Sequence, residues 1–457
     1  MTPVKPEPLL IEAELVLCPV EVKRVARLLN TALVAGVCLL LAFGPLAFGM
    51  VEEWSMCVLE LGTALLIVLW AAREIANGQI EVTLYPVFVP MGLFAGLVVA
   101  QLLFRRSAYW YATWSNALLW AAYGMLFFLV TQSFRRRAIA KGFAPFFTVY
   151  GFCVALFAIA QQFISNGKIY WVVPNAGLGW VYGPYVNHAH YAGLMEMLVP
   201  IPLVFAMAGF SRKAMRGLFL LAVVVMSATV FLSQSLGGMI AFTVELVLLM
   251  ILSFKGRSRH QMLLVELLCA ALVLCLVALS PSGLAERLAN LRDPLGKADA
   301  ANRVVIVKDS LRMVAQHPIL GWGLGTFPVV YPAFRSFYSN FLVNEAHDDF
   351  VQTLVETGVV GFALMITFIF LLYRDGLRRI EGWRRDPRAA LALAALIGCT
   401  GLLVHGFSDF NLRVPANAAF FFVLAAVVTC CHGSDRVHQL SGSANLAREN
   451  KAEPLIR

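Results

Sequence analysis

Apolar residues run along this chain in long uninterrupted stretches, separated by short polar links. The stretches at 28–50, 53–72, 84–104, 111–131, 144–164, 189–210, 217–232, 238–254, 262–279, 349–373, 389–405 and 415–431 are candidate membrane spans. Each has roughly the 17–25 residues that a helix needs to cross about 30 Å of hydrocarbon. None alternates with the period of two expected of a membrane β-barrel, so each predicts a helix. The expected fold is all-α, a polytopic membrane helical bundle of about twelve transmembrane helices. Its divisions are an N-terminal segment 1–27, nine helices over 28–279, a long loop over 280–348, three helices over 349–432 and a polar tail 433–457. A loop as long as 280–348 in a compact bundle is usually functional. A second, shorter loop at 165–188 carries Tyr170, Trp171, Trp180, Tyr182 and Tyr185.

Composition agrees with that pattern. Hydrophobic residues make up 60% of the 457 and charged residues 14%, against about 45–50% and a quarter in a soluble domain. These values exclude a soluble globular enzyme, a disordered chain and a collagen-like one. The net charge of +9 comes from Lys+Arg 36 against Asp+Glu 27. In a soluble protein it would suggest nucleic acid. Here the basic residues sit in short clusters between apolar runs, where they set orientation. With both termini in the cytoplasm, the clusters at 23–27, 135–141, 212–216, 255–259 and 374–388 all fall inside, and the two long loops fall outside. The first 27 residues mix acids and bases without a leading apolar run, unlike a cleavable signal peptide. The nine cysteines include no Cys-x-x-Cys pair and read as small packing residues.

Ionisable groups at the edge of a bilayer are costly and need a reason. Three polar clusters stand out, all on the expected outer side. In the first, Asn344-Glu345-Ala346-His347-Asp348-Asp349-Phe350, His347 is expected in the first turn of the tenth span, with Val351, Leu354 and Val355 on its face and Asp348 in line with Gln352 and Glu356. A histidine beside a carboxylate can act as a general base near neutral pH; the same string also reads as a helix cap with a solvated histidine. The second, 302–312, is expected to be a short amphipathic helix capped by Asp299 or Asn302 and ended before Pro318, with Val304, Val307, Leu311 and Val314 turned inward. Arg303 at its start suits a phosphate, because guanidinium matches phosphate oxygens in a forked geometry; it also reads as a surface arginine. Gly321, Gly323 and Gly325 follow and permit tight turns, and then come Tyr331, Phe334, Arg335, Phe337, Tyr338 and Phe341. The third cluster runs from Gly183 through Asn187, His188 and His190 to Glu196. Two histidines two apart do not share a helix face, so no metal site is expected there.

Several of these strings together resemble the O-antigen ligase and O-antigen polymerase superfamily. Gly183-Pro184-Tyr185-Val186-Asn187-His188-Ala189-His190-Tyr191-Ala192-Gly193 is similar to the family's Asn-x-Asn-His-aromatic-Ala-Gly segment, with Ala189 in place of its second Asn. Arg303, followed by Pro318-Ile319-Leu320-Gly321-Trp322-Gly323-Leu324-Gly325, is similar to its Arg-then-Pro-Leu-Gly-x-Gly-x-Gly stretch. Ala346-His347-Asp348-Asp349-Phe350 and Glu356-Thr357-Gly358-Val359-Val360-Gly361 resemble its remaining signature. The resemblance implies a C-type glycosyltransferase architecture with a large periplasmic loop, in the bacterial inner membrane. It implies inverting transfer of a glycan from undecaprenyl diphosphate to an acceptor such as lipid A–core, without a metal or other cofactor. By position, Arg303 takes the phosphate role and His347 the base role, with Asn187, His190, Arg335, Asp348 and Glu356 as substrate-binding candidates. Relatives carry Ser-Arg-Gly where this chain has Ser235-Leu236-Gly237, so Leu236 stands where a second phosphate-binding arginine is expected, with Arg335, Arg413 or Arg105 as substitutes. Polymerisation of repeat units on the same carrier fits equally. A lipid-linked sugar flippase is the reading from another class, although the two halves show no repeat.

Overall fold

A computed structural model describes residues 9–14, 20–134, 137–164, 166–174, 181–253, 294–338 and 342–431. The helices are α1 (Val20–Leu46), α2 (Glu53–Asn77), α3 (Phe88–Leu103), α4 (Trp110–Ser133), α5 (Arg137–Phe163), α6 (His188–Leu198) and α7 (Pro200–Met207). They continue as α8 (Lys213–Leu232), α9 (Leu236–Ser253), α10 (Pro294–Gln316), α11 (Asp349–Arg379), α12 (Pro387–His405) and α13 (Pro415–Cys430). Among the described residues, nine helices are long and apolar enough to cross a membrane, α6 and α7 counting as one, and α3 and α13 are shorter apolar helices. The expected span at 262–279 lies outside the described residues, as do 280–293 of the long loop and the tail from 432.

Small residues let the central helices meet closely. α12 is almost wholly buried and packs on α6, α7, α9 and α13. A Cβ on Gly398 would sit 2.9 Å from the Cα of Met197, so only glycine allows that approach. Between helices in lipid, such backbone proximity and van der Waals contact replace the hydrophobic effect as the source of stability.

The helix ends sort into two groups. At one end the turn after α7 meets the turn before α12, where the Gly209 N–H donates to Arg384 O at 2.8 Å. There Arg384 reaches Ser253 O at the end of α9 (2.6 Å), and Arg379 reaches Val428 O near the end of α13 (3.4 Å). This is the arginine-rich end. At the other end gather the starts of α6, α9, α11 and α13, the finish of α12, and α10.

The most consequential local feature is a break in α11. Gly358 has φ 63° and ψ −170°, which interrupts the helix and frees carbonyls before it and N–H groups after it. The glycine-rich segment 318–324 satisfies both. Trp322 N–H donates to Val355 O (3.0 Å) and Gly323 N–H to Glu356 O (3.0 Å). Val359 N–H donates in turn to Pro318 O (2.8 Å) and Val360 N–H to Ile319 O (3.3 Å). From α3, Gln101 Nε2 adds donations to Leu320 O (2.7 Å) and Glu356 O (3.0 Å). Non-helical backbone inside a membrane bundle is tolerated where protein covers it in this way. Gly321 (φ 70°), Gly323 (φ 113°) and Gly325 (φ 76°) supply the turns that bring the segment close.

The run 189–210 forms one span as expected, interrupted where α6 gives way at Val199 to Pro200, which lacks the N–H to continue the ladder. Several other expectations need correction. α10 begins at Pro294, so neither Asp299 nor Asn302 caps it. Its inward face is Ile306, Asp309, Ser310 and Met313, whereas Val304 and Leu311 are about half exposed. The polar pair is buried because Asp309 Oδ2 accepts from both the N–H and the hydroxyl of Ser336 (3.0 Å each), tying the following aromatic segment to the helix. The residues before the first span and after the second were not expected to form strands. Leu9–Glu14 (β1) nevertheless pairs antiparallel with Gln79–Leu84 (β2).

Candidate active site

One nine-residue turn organises the polar chemistry. It runs from His405 at the end of α12 to Arg413 and leads into α13. Several elements hold it. Asp349 N–H donates to Gly406 O (2.8 Å), and Asp349 Oδ2 accepts from Leu412 N–H (3.1 Å). Asn417 Nδ2 donates to Asn411 Oδ1 (3.0 Å) and to His190 O (2.8 Å), while Tyr185 O–H donates to Asn417 Oδ1 (2.7 Å). Beneath the turn, the buried His405 Nδ1 lies 2.9 Å from Glu196 Oε1 and its Nε2 lies 3.4 Å from Ser235 Oγ. Paired and enclosed in this way, neither group of the pair is left as an isolated buried charge.

On this turn Arg303 and His347 come together. Arg303 Nη1 donates to Ser408 O at 2.8 Å, and the next residue, Asp409, has its Oδ1 3.8 Å from His347 Nδ1. The Asp409 side chain is buried and that of His347 is 30% exposed. Burial pushes the Asp409 carboxyl up, but its contact with His347 and the imidazoles of His190 and His405 outweigh burial and hold it below the usual carboxylate range. His347 does not open α11 as expected. Asp348 is the N-cap, its Oδ1 accepting from Phe350 and Val351 N–H (2.9 Å each), and His347 precedes it with φ 53°. The positive φ turns the imidazole away from the helix face of Val351 and toward the turn, where it packs edge-on against Phe410 at 5.1 Å.

Beside this pair lies a second buried network. Gln352 Oε1 accepts from Ala346 N–H (2.9 Å), and its Nε2 donates both to Glu345 and to Glu356 Oε1 (3.2 Å). Glu356, placed at the break in α11, pairs with Arg413 at 2.7 Å. Burial pushes the Glu345 carboxyl up to about 7, with Arg413 opposing and Glu356 adding to the rise. A carboxyl raised in the fold binds an extra proton there between about pH 4.5 and pH 7, so its contribution to stability is lost as pH rises through that window. Glu345→Gln keeps the oxygen that Gln352 bonds. We expect it to match the parent in thermal unfolding near pH 5 and to unfold a few degrees higher at pH 8; equal melting at both pH values contradicts this assignment.

The other expected site residues have structural partners. Asn187 caps α6, its Oδ1 accepting from Ala189 N–H (2.9 Å). Arg335 donates to Phe337 O (2.9 Å) and stacks over the Phe337 ring (5.1 Å). Leu236 opens α9 and is 42% exposed. Arg413 is a poor replacement for the missing arginine there, since it is buried and already paired with Glu356 at 2.7 Å. Arg105 is exposed on the α3–α4 turn with φ 51°. Among the described residues no group of three or more histidines, cysteines or carboxylates is placed to hold a metal ion. In the sequence, Asp409 stands out with His405 only as a minor polar pair at the edge of a span, and its place opposite His347 and His190 comes from the structure.

A cavity of about 440 Å³ adjoins the site between α3, α4, α11 and α13. Arg413, Leu412 and Thr353 line one part of it, and apolar side chains such as Phe94, Trp120, Phe368 and Phe422 line the rest.

Residues 197–366 match the O-antigen ligase family. The motif resemblance therefore holds over that segment, which contains Arg303, His347 and Glu356 and ends before Asp409. Together with the long apolar helices, the match indicates a membrane protein that over this segment is similar to the O-antigen ligase family. A comparison with curated proteins finds no match.

Proposed function

We propose that the protein transfers a glycan from a polyprenyl diphosphate, such as undecaprenyl diphosphate, to a glycolipid or polysaccharide acceptor such as lipid A–core, with inversion and without a metal cofactor. The carrying observation is that Arg303 and His347, far apart in sequence, meet on adjacent residues of one turn. With Nδ1 facing Asp409, His347 holds its proton on that nitrogen and leaves Nε2 as a base, the arrangement in which a carboxylate fixes a histidine's tautomer. The acceptor hydroxyl gives its proton to Nε2 as its oxygen attacks the anomeric carbon. The bond from that carbon to the phosphate oxygen breaks on the opposite face, and the diphosphate leaves with the electron pair. Negative charge grows on the diphosphate, where a cation stabilises the transition state most, and Arg303 supplies one. The apolar cavity lined by Arg413 and Leu412 suits the lipid part of the donor.

The distribution of positive charge supports a cytoplasmic arginine-rich end, and on that reading the site belongs at the periplasmic face of the inner membrane. Both ligation to a core glycolipid and extension of a chain on the same carrier use this geometry. The test is a transfer assay with purified protein, a radiolabelled polyprenyl-diphosphate glycan and separate acceptors, in detergent and in vesicles. The reading expects a new glycosidic bond of inverted anomeric configuration, formed equally well in the presence of a chelator, and the labelled acceptor tells ligation from polymerisation. Movement of the donor across vesicles without bond formation overturns it in favour of a flippase.

A further inference from the structure

Two imidazoles, not one, face Asp409. His347 Nδ1 lies 3.8 Å from its Oδ1 and His190 Nε2 lies 3.9 Å from the same atom. Both nitrogens are buried, and neither has a hydrogen-bond partner among the described residues. The rings also share a wall, since His190 packs edge-on against Phe410 at 4.7 Å and His347 does so at 5.1 Å. His190 is held in place through its backbone, by the Asn187 cap of α6 and by Asn417 Nδ2 on its carbonyl. A backbone so anchored fixes the ring without using its nitrogens. Among the described residues Nε2 then has no hydrogen-bond partner, and the Asp409 carboxylate faces it.

We propose that His190 is a positioning residue for the transfer: its Nε2–H points at Asp409, draws on that carboxylate's charge, and thereby sets the pH at which His347 is free to accept a proton. The role rests on the transferase reading of the site. A lone pair on Nε2 would repel the carboxylate oxygen it faces, so the proton of the neutral ring belongs on that nitrogen. A carboxylate shared between two N–H donors holds each less strongly than a carboxylate serving one. The other charged groups around the pair are Arg303 from α10, the His405–Glu196 pair from α12 and α6, and Arg413 on the turn. Glu345, Asp348 and Asp349 flank His347 on its own segment, and His188 shares α6 with His190. All of them stay unchanged in the comparison below.

With His190→Leu, Asp409 has one imidazole left and pulls harder on it. His347 then stays protonated to higher pH, and the unprotonated base appears later in a titration. The experiment uses the full chain in detergent with labelled histidine, the His347 resonance being assigned by its loss in His347→Gln. We expect the His347 titration midpoint and the acid limb of the transfer–pH profile both to move up by about half a pH unit or more in His190→Leu. In His190→Gln, whose amide restores a donor, both return toward the parent. If His190→Leu does not fold, His190→Phe keeps the ring contact with Phe410 and is expected to give the same upward shift. A midpoint that stays in place in the leucine or phenylalanine variant, or a glutamine variant that shifts as far as leucine, overturns the proposal. If the parent protein transfers no glycan, the transferase reading falls, and the resonance midpoints still decide whether His190 acts on His347 through Asp409.

Discussion

Replacing His347 by alanine is expected to lower the transfer rate by about a thousandfold, within the range that general-base catalysis contributes, and to leave the folded bundle intact. The imidazole packs edge-on against Phe410 beside the Asp409 carboxylate, and among the described residues no helix or backbone hydrogen bond of the bundle depends on it. Asp409→Asn is expected to lose about a hundredfold or more, although the variant differs by one atom. The amide can turn its NH2 toward Nδ1, which favours the tautomer with the proton on Nε2 and takes away the base. Initial rates at saturating acceptor, with thermal unfolding of each variant measured alongside, check both results. Near-parental rates in His347→Ala remove the base assignment.

The second large effect concerns folding. Gly358→Ala is expected to destabilise the protein by about 3 kcal/mol or more. At φ 63° and ψ −170° the backbone lies in a region essentially reserved for glycine, and a Cβ would press on the Ile319 carbonyl and sit 2.7 Å from Gly321 N. Relieving that contact pushes the segment 318–324 away. It then weakens the four hydrogen bonds that cover the helix break and leaves those backbone groups without their partners. Because Glu356 sits at the break and pairs with Arg413, the turn carrying Asp409 loosens too. Yield of monodisperse protein in detergent and its unfolding temperature are the readouts; parental values in both would mean that the break is not set by this glycine.

The spans were legible because a helix in lipid must be apolar along its length, and eleven of the twelve runs fall on described helices. The glycine strings were legible as turns, but their purpose was not. That Gly321 and Gly358 serve one backbone-to-backbone contact depends on two segments folding onto each other. The inward face of α10 is not legible in the sequence because hydrophobic spacing favours Val304 and Leu311, while Asp309 is drawn inward by the Ser336 N–H and hydroxyl. The β1–β2 pairing is not legible in the sequence because Leu9–Glu14 and Gln79–Leu84 are short and about 65 residues apart, and nothing local to either segment marks the other as its partner. At the site, His347 and Arg303 were found from residue type and local company. Asp409, His405 and Glu196 acquire meaning only once α6, α11 and the α12–α13 turn are side by side, which no local pattern encodes.

Asp409 and His347 are expected to act as one unit on the acceptor hydroxyl. The transfer rate of the double variant His347→Gln/Asp409→Asn, set against the two single variants, measures that directly. If Asp409 works only through His347, the double variant is no slower than His347→Gln alone, to within about threefold. Losses that multiply would mean that the two residues act separately and that the turn does not assemble a catalytic pair.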